Sequence, residues 1–198
     1  MKHRPFLFVP LLTAAIVITA SPAVYASDGA VLFQHVRAED SPMRALIEDA
    51  IASSPTVRAL VARITASDVV VLVTCERNPA VKASGRLNFM TSAGGVRYLV
   101  IRLKPQRRAA AIAMLAHELQ HATEIADSPA IVDEESLARE YQRIGYRSHA
   151  SHGGLAFDTK AAVDVGRRVA AELTASEPIV GRALPGAPRG PDKVRATD

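Results

Sequence analysis

Two histidines and a glutamate stand at a spacing that suits metal-dependent hydrolysis. They are His117, Glu118 and His121, in the sequence His-Glu-Leu-Gln-His. Residues four apart on an α-helix project from one face, a little over one turn apart. The two imidazoles can therefore share one zinc ion, and the glutamate between them can act as general base. The spacing predicts metal ligands at His117 and His121 and a catalytic Glu118.

The run Arg107–Ala126 has the composition of the helix that this motif needs. It is rich in alanine and leucine and contains no proline. At 100° per residue its large apolar side chains, among them Ile112, Leu115 and Leu119, fall on one stripe, and both histidines lie roughly opposite. A helix that is apolar on most sides is usually covered on most sides, so we expect the histidines to face an interior cleft.

The first 26 residues have the organisation of a secretory signal peptide. Lys2–Arg4 is basic, Phe6–Ala20 is apolar, and small residues precede a cleavage site after Ala26. The apolar stretch is short for a membrane span and contains Pro10. We therefore expect a secreted or periplasmic protein with no stable membrane association after cleavage.

Composition limits the class of the mature chain. Removal of residues 1–26 takes away two basic side chains and lowers the formal net charge from +4 to +2. No basic run is interleaved with aromatic residues, so we expect no nucleic-acid partner. The single cysteine, Cys75, cannot form an internal disulfide, and stability must come from the core or from bound metal. We expect one domain over 27–175 and a disordered Pro/Gly-rich tail over 176–198.

Turn signals and hydrophobic periodicity predict an α+β fold, with a small, mainly antiparallel sheet packed on the motif helix. Ser41-Pro42 and Ser54-Pro55 are helix starts, Ala93-Gly94-Gly95 is a hairpin turn, and the stretch Arg147–Asp158 is loop-like. The remaining helices are predicted at Met43–Ala52, Val57–Ala66, Glu134–Ile144 (between a cap at Asp133 and Gly145) and Thr159–Thr174, and the strands at Val69–Val73, Arg86–Ser92 and Val96–Lys104.

The motif helix, a break at Asp127-Ser128-Pro129 and a second helix together resemble the zincin metallopeptidases, in particular their gluzincin branch. In gluzincins a glutamate on the second helix is the third zinc ligand. Glu140 stands 19 residues after His121, which matches the spacing of one gluzincin group. The resemblance therefore implies a Zn²⁺ site formed by His117, His121 and Glu140 in a minimal zincin-like domain.

Three other carboxylates remain candidates for the third ligand. Glu134 lies on the same predicted helix as Glu140. Asp127 has the spacing of a metzincin ligand, although Glu124 stands where that family has glycine. Glu124 could instead orient His121 or a bound water from outside the ligand set. The sequence also departs from the zincin pattern at Thr123, where an apolar residue is usual.

The resemblance implies a secreted zinc metallopeptidase that hydrolyses peptide bonds of a peptide or protein substrate, with metal-activated water and Glu118 as base. In zincins an edge strand near the cleft pairs with extended substrate, and the hairpin that includes Val96–Lys104 could do so here. Four side chains could stabilise the oxyanion: Tyr141, Tyr146, His149 and His152.

Two functions outside catalysis also fit the sequence. The span 94–145 is similar to small secreted bacterial HExxH proteins with no established activity, which supports metal binding more than turnover. A noncatalytic protein organised by zinc would have a closed four-ligand site, with His149 or His152 as a possible fourth ligand. A metal-free interaction module would bind partners through the hairpin and hold no stoichiometric zinc.

Overall fold

A computed structural model describes residues 34–147 and 157–176. The predicted signal peptide lies outside the described residues, as do His149, His152 and the tail beyond Ser176. Within the described ranges the elements are β1 Val36–Ala38, α1 Ser41–Ser53, α2 Pro55–Thr65, β2 Val69–Cys75, β3 Gly85–Ala93, β4 Val96–Leu103, α3 Arg108–Ala126, α4 Glu134–Ile144, β5 Tyr146–Arg147, β6 Phe157–Asp158 and α5 Lys160–Ser176.

Four of the strands form one sheet in the order β1-β2-β4-β3, and β5 pairs with β6. The predicted α+β class is confirmed. The sheet is mixed, where a mainly antiparallel one was predicted: β1 and β4 both run parallel to β2, and only the β3–β4 pair is antiparallel. The reason is that the second arm of the hairpin inserts beside β2, which leaves β3 as the outermost strand.

The hairpin turn forms at the predicted glycines. Gly94 and Gly95 have φ of 59° and 78°, a left-handed conformation that glycine adopts without steric cost. The two arms pair from Gly85↔Leu103 to Ala93↔Val96, with an irregularity between Phe89 and Thr91. This bulge interrupts the ladder near the middle of the edge strand.

One core joins the sheet to the motif helix. Alternate side chains of β2 and β4 point into it, including Val71, Leu99 and Ile101, each at most 1% exposed. The apolar stripe predicted on α3 packs against them, and its large members are fully buried. Burial of each such side chain contributes roughly 1.5–3 kcal/mol. The same contacts fix the rotation of α3, which leaves both histidines on the side away from the sheet core.

The side-chain caps of three helices follow the sequence signals, with one of them shifted. Ser54 and Asp133 cap α2 and α4 as predicted, and each side chain accepts a backbone N–H in the first turn. At α1 the cap is Asp40, one residue before the predicted position, and its carboxylate accepts the N–H of Met43 at 2.9 Å. Ser41 is instead the first residue of the helix. None of the described helices is both long enough and apolar enough to cross a membrane.

A buried arginine holds the end of α3. Arg97, 4% exposed, donates to the carbonyls of Ile125 at 2.7 Å and Ser128 at 2.9 Å and forms an ion pair with Asp68 at 2.6 Å. The last carbonyls of a helix lack partners within it and carry partial negative charge, so a guanidinium there is stabilising. Arg97 thereby ties β4 to the turn that leads from α3 into α4.

Candidate metal centre

The helix α3 brings His117 and His121 together as the spacing predicts. Their ring centroids are 5.0 Å apart, with the planes at 81°. Both rings turn a nitrogen towards Asp158, at the end of β6. Oδ1 of Asp158 lies 3.4 Å from Nε2 of His117 and 3.6 Å from Nε2 of His121. Two imidazoles and one carboxylate therefore converge on a common point.

The separations fit a shared metal ion better than direct hydrogen bonds. Contacts of 3.4 and 3.6 Å are long for hydrogen bonds between nitrogen and oxygen. Ligand atoms about 2.1 Å from a tetrahedral ion would lie about 3.4 Å from one another. The three ligand atoms are all within 4.8 Å of each other, and two imidazoles with one carboxylate suit zinc.

Each histidine is oriented by a second contact behind the ring. Nδ1 of His121 lies 2.9 Å from Oε2 of Glu124, and the ring of His117 has a hydrogen bond to the Ala162 backbone. Metal-binding histidines are usually held in this way, with one nitrogen bonded to an outer partner and the other left for the ion. The predicted role of Glu124 as a partner that orients His121 agrees with this geometry.

Glu118 lies in the interior beside the two imidazoles and is 4% exposed. Burial raises the pKa of Glu118 to about 7, against the opposing effect of the nearby His121. Gly85, the first residue of β3, approaches so closely that a Cβ atom there would lie 2.8 Å from Oε1 of Glu118. The edge strand of the sheet therefore passes directly over this carboxyl group.

The protonation states of His117, His121 and Asp158 in the metal-free site follow from burial and from their mutual charges. Burial lowers the pKa of His121, but the carboxylates of Asp158, Glu124 and Glu118 raise it more, to about 9. Burial and the neighbouring His121 lower the pKa of His117. Burial raises the pKa of Asp158, but the two imidazoles lower it by more, so its carboxylate is ionised. Without metal, His121 therefore carries the proton of the pair.

The structure does not bring Glu140, the third ligand implied by the gluzincin spacing, to the two imidazoles. Glu140 pairs with Arg143 on the outer side of α4. The reason is rotation about the helix axis: α4 turns Tyr141 inward to His121, and the preceding residue, about 100° away, points to a different side. Among the described residues, Asp158 is the carboxylate that meets both imidazoles.

The alternative ligands also lie elsewhere. Asp127 forms an ion pair with Arg63 at 2.6 Å and is largely exposed. Glu134 is exposed in the first turn of α4. Glu124 faces Nδ1 of His121, on the other side of the ring from Asp158.

Of the four predicted oxyanion donors, the two tyrosines fall within the described residues. The Tyr141 hydroxyl is buried and donates to Oε2 of Glu124 at 3.0 Å. Tyr146 is 51% exposed on β5. His149 and His152 fall outside the described residues.

The sequence did not point to Asp158 as a ligand, because no motif near it in the chain indicates metal binding. It stands 37 residues after His121, at the end of a segment read as a loop. An aspartate directly before a helix is also an ordinary helix-start signal. Its meeting with the histidines depends on the packing of α5 against α3. The two helices approach closely at Gly166 of α5, where a Cβ atom would be in ordinary contact with α3, 3.4 Å from the Ala113 carbonyl oxygen and 3.5 Å from Cβ of His117.

This chain was compared with known protein families, curated proteins and solved structures. No protein-family model, curated protein or solved structure matches this chain.

Proposed function

We propose that this protein is a zinc-dependent metallopeptidase. The observation that carries the proposal is the convergence of Nε2 of His117 and Nε2 of His121 on one oxygen of Asp158, beside the buried Glu118. Among the described residues three side chains reach this point, and a site formed by these three would leave a fourth tetrahedral position for water or substrate. That arrangement is typical of catalytic zinc sites, whereas structural sites use four protein ligands.

The chemistry follows from the groups around the ligands. A zinc ion held by these residues would lower the pKa of a coordinated water towards about 7 and polarise the carbonyl group of a peptide bond. Glu118 serves as the base that accepts a proton from the attacking water, and then returns it to the leaving amine. Its pKa of about 7 in the metal-free chain suits a group that must both take and release a proton near neutrality.

The substrate we propose is an extended peptide segment that pairs with β3. The sequence suggested the hairpin that includes Val96–Lys104, and within it β4 is already bonded on both sides, to β2 and β3. β3 is one of the two edge strands of the sheet, and its first residue, Gly85, lies against Glu118. A peptide added to this edge would run past the base. The bulge between Phe89 and Thr91 would confine regular pairing to 85–89.

A noncatalytic zinc protein is the second candidate, and one observation favours it. The Tyr141 hydroxyl, a candidate oxyanion donor, is bonded to Glu124 instead of facing the site. A site without such a donor would stabilise the transition state less well, because removal of one oxyanion donor costs about 100- to 1000-fold in turnover.

We also propose that the protein is exported, on the evidence of the basic, apolar and small-residue segments within residues 1–26. Expression of the full chain in a bacterial host tests this. The periplasmic or secreted product should begin at Ser27, and an intact N-terminus in the cytoplasmic fraction would contradict export.

A peptide-mixture assay tests the function. The mature protein, purified without chelator, is incubated with a diverse pool of denatured-protein peptides, and new termini are identified by mass spectrometry. Cleavage should cease after zinc is removed with a chelator and return when zinc is added back. Absence of cleavage by protein that holds one zinc per chain would favour the noncatalytic candidate.

A further inference from the structure

Glu124 is the meeting point of three separate segments. It lies on α3, one turn after His121, and its Oε2 atom is 2.9 Å from Nδ1 of His121. Tyr141 of α4 donates to the same oxygen at 3.0 Å. Thr159, between β6 and α5, donates to Oε1 at 2.7 Å. Both oxygens of this partly buried carboxylate therefore have donors.

Thr159 makes a second contact with the site, through its backbone. Its backbone N–H donates to Oδ1 of Asp158 at 2.7 Å, which is the oxygen that faces both imidazoles. Its hydroxyl oxygen also accepts the N–H of Ala162 at 3.1 Å in the first turn of α5. One residue, 4% exposed, thus links a carboxylate ligand to the group behind His121.

Tyr141 of α4 is the second residue that contacts both Glu124 and a metal-ligand candidate, in this case His121. It is 7% exposed, and its hydroxyl lies 3.1 Å from Nδ1 of His121 as well as against Glu124. The hydroxyl can donate to one partner only, and a carboxylate is the stronger acceptor. The remaining partner of Glu124 is then the Nδ1–H of His121, which leaves Nε2, the nitrogen that faces Asp158, as the one that would bind zinc once its proton is displaced.

We propose that Tyr141 and Thr159 are positioning residues for the metal centre, which act through Glu124 to hold His121 in the orientation and tautomer that binds zinc. The proposal rests on the zinc site proposed above and assigns Tyr141 a role other than oxyanion stabilisation. Partners of this kind are worth about 10- to 100-fold in metal affinity.

The test measures zinc affinity of the folded mature protein by competition with a chromophoric chelator at fixed pH. Thr159→Val and Tyr141→Phe should each weaken zinc binding about tenfold, and Glu124→Gln by about 10- to 100-fold. Thr159→Ser keeps the hydroxyl and should restore the wild-type affinity. Thr74→Val and Tyr98→Phe, the same changes made in strands β2 and β4, should leave the affinity unchanged.

A double-mutant cycle separates positioning from a general loss of stability. If Thr159 acts through Glu124, Thr159→Val should weaken zinc binding in the wild-type background and have no further effect in the Glu124→Gln background. The same loss in both backgrounds, or wild-type affinity in both Thr159→Val and Tyr141→Phe, would overturn the proposal.

The outcomes also separate this inference from the proposed function. A wild-type chain that binds no zinc overturns both. A wild-type chain that binds zinc without cleaving peptides contradicts the peptidase alone, because the affinity series still decides the role of Thr159 and Tyr141.

Discussion

The position that a Cβ atom on Gly85 would occupy lies 2.8 Å from Oε1 of Glu118. The same position is 2.6 Å from Cγ of Met114. Glycine leaves room for the edge strand and the buried carboxyl group to be this close, whereas a larger residue would require the Met114 or Glu118 side chain to shift. The contact joins the strand proposed to bind substrate to the residue proposed to activate water.

A methyl group at position 85 should therefore reduce catalysis without removing the metal. In Gly85→Ala, Glu118 or Met114 must move, and a displacement of about 1 Å at a catalytic group can cost about 100-fold in rate. We expect peptide hydrolysis to fall by about that factor, with zinc affinity close to wild type. The exposed neighbour Ser84→Ala is the control and should retain full activity. Normal turnover by Gly85→Ala would mean that this contact does not position the base.

Removal of the carboxylate itself separates metal binding from chemistry. Glu118→Gln keeps the size of the side chain but cannot accept the proton. Because general acid–base catalysis contributes about 100- to 10,000-fold, hydrolysis should fall by that range while one zinc per chain remains. Elemental analysis and the peptide assay on the same preparation measure both quantities. Undiminished hydrolysis would remove Glu118 from the mechanism.

Asp158 and Glu140 can be tested against each other as the third ligand. Loss of an outer-sphere partner alone weakens metal binding about 10- to 100-fold, so Asp158→Asn should weaken zinc binding at least about 100-fold. Glu140→Gln, the matched change at the residue suggested by the gluzincin spacing, should bind zinc as the wild type does, because Glu140 pairs with Arg143. The reverse pattern would restore the ligand set expected from the sequence.

Zinc affinity should increase with pH below about 9. The pKa of His121 is raised to about 9 in the metal-free protein, so at neutral pH zinc must displace a proton from this ring. The lowered pKa of His117 leaves that ring neutral in the same range. Between about pH 7 and 8.5 the apparent affinity should rise about tenfold per pH unit, since one proton is released. Competition titrations at several pH values measure the slope, and an affinity independent of pH would contradict a protonated His121.

Local patterns were sufficient for part of the fold and site. The apolar stripe of α3 and the two histidines opposite it follow from helical periodicity. The Gly94-Gly95 turn follows from the conformational freedom of glycine. Glu124, three residues after His121, is also within reach along the same helix. Each of these features is determined by residues that are close together in the sequence.

The remaining features depend on contacts between distant segments. The sheet is mixed because β4 pairs in parallel with β2. This pairing depends on both strands, so the hairpin sequence by itself does not predict it. The rotation of α4 decides that Tyr141, and not Glu140, faces His121. Asp158 reaches the imidazoles only through the packing of α5 on α3, which sequence spacing does not report.

We propose that His117, His121 and Asp158 hold one zinc ion and leave one coordination position open. Diffraction from zinc-loaded crystals at the zinc absorption edge tests it most directly. We expect one anomalous peak at about 2.0–2.2 Å from Nε2 of each histidine and from a carboxylate oxygen of Asp158, with water as the fourth ligand. A peak elsewhere, or none at these three side chains, would contradict it.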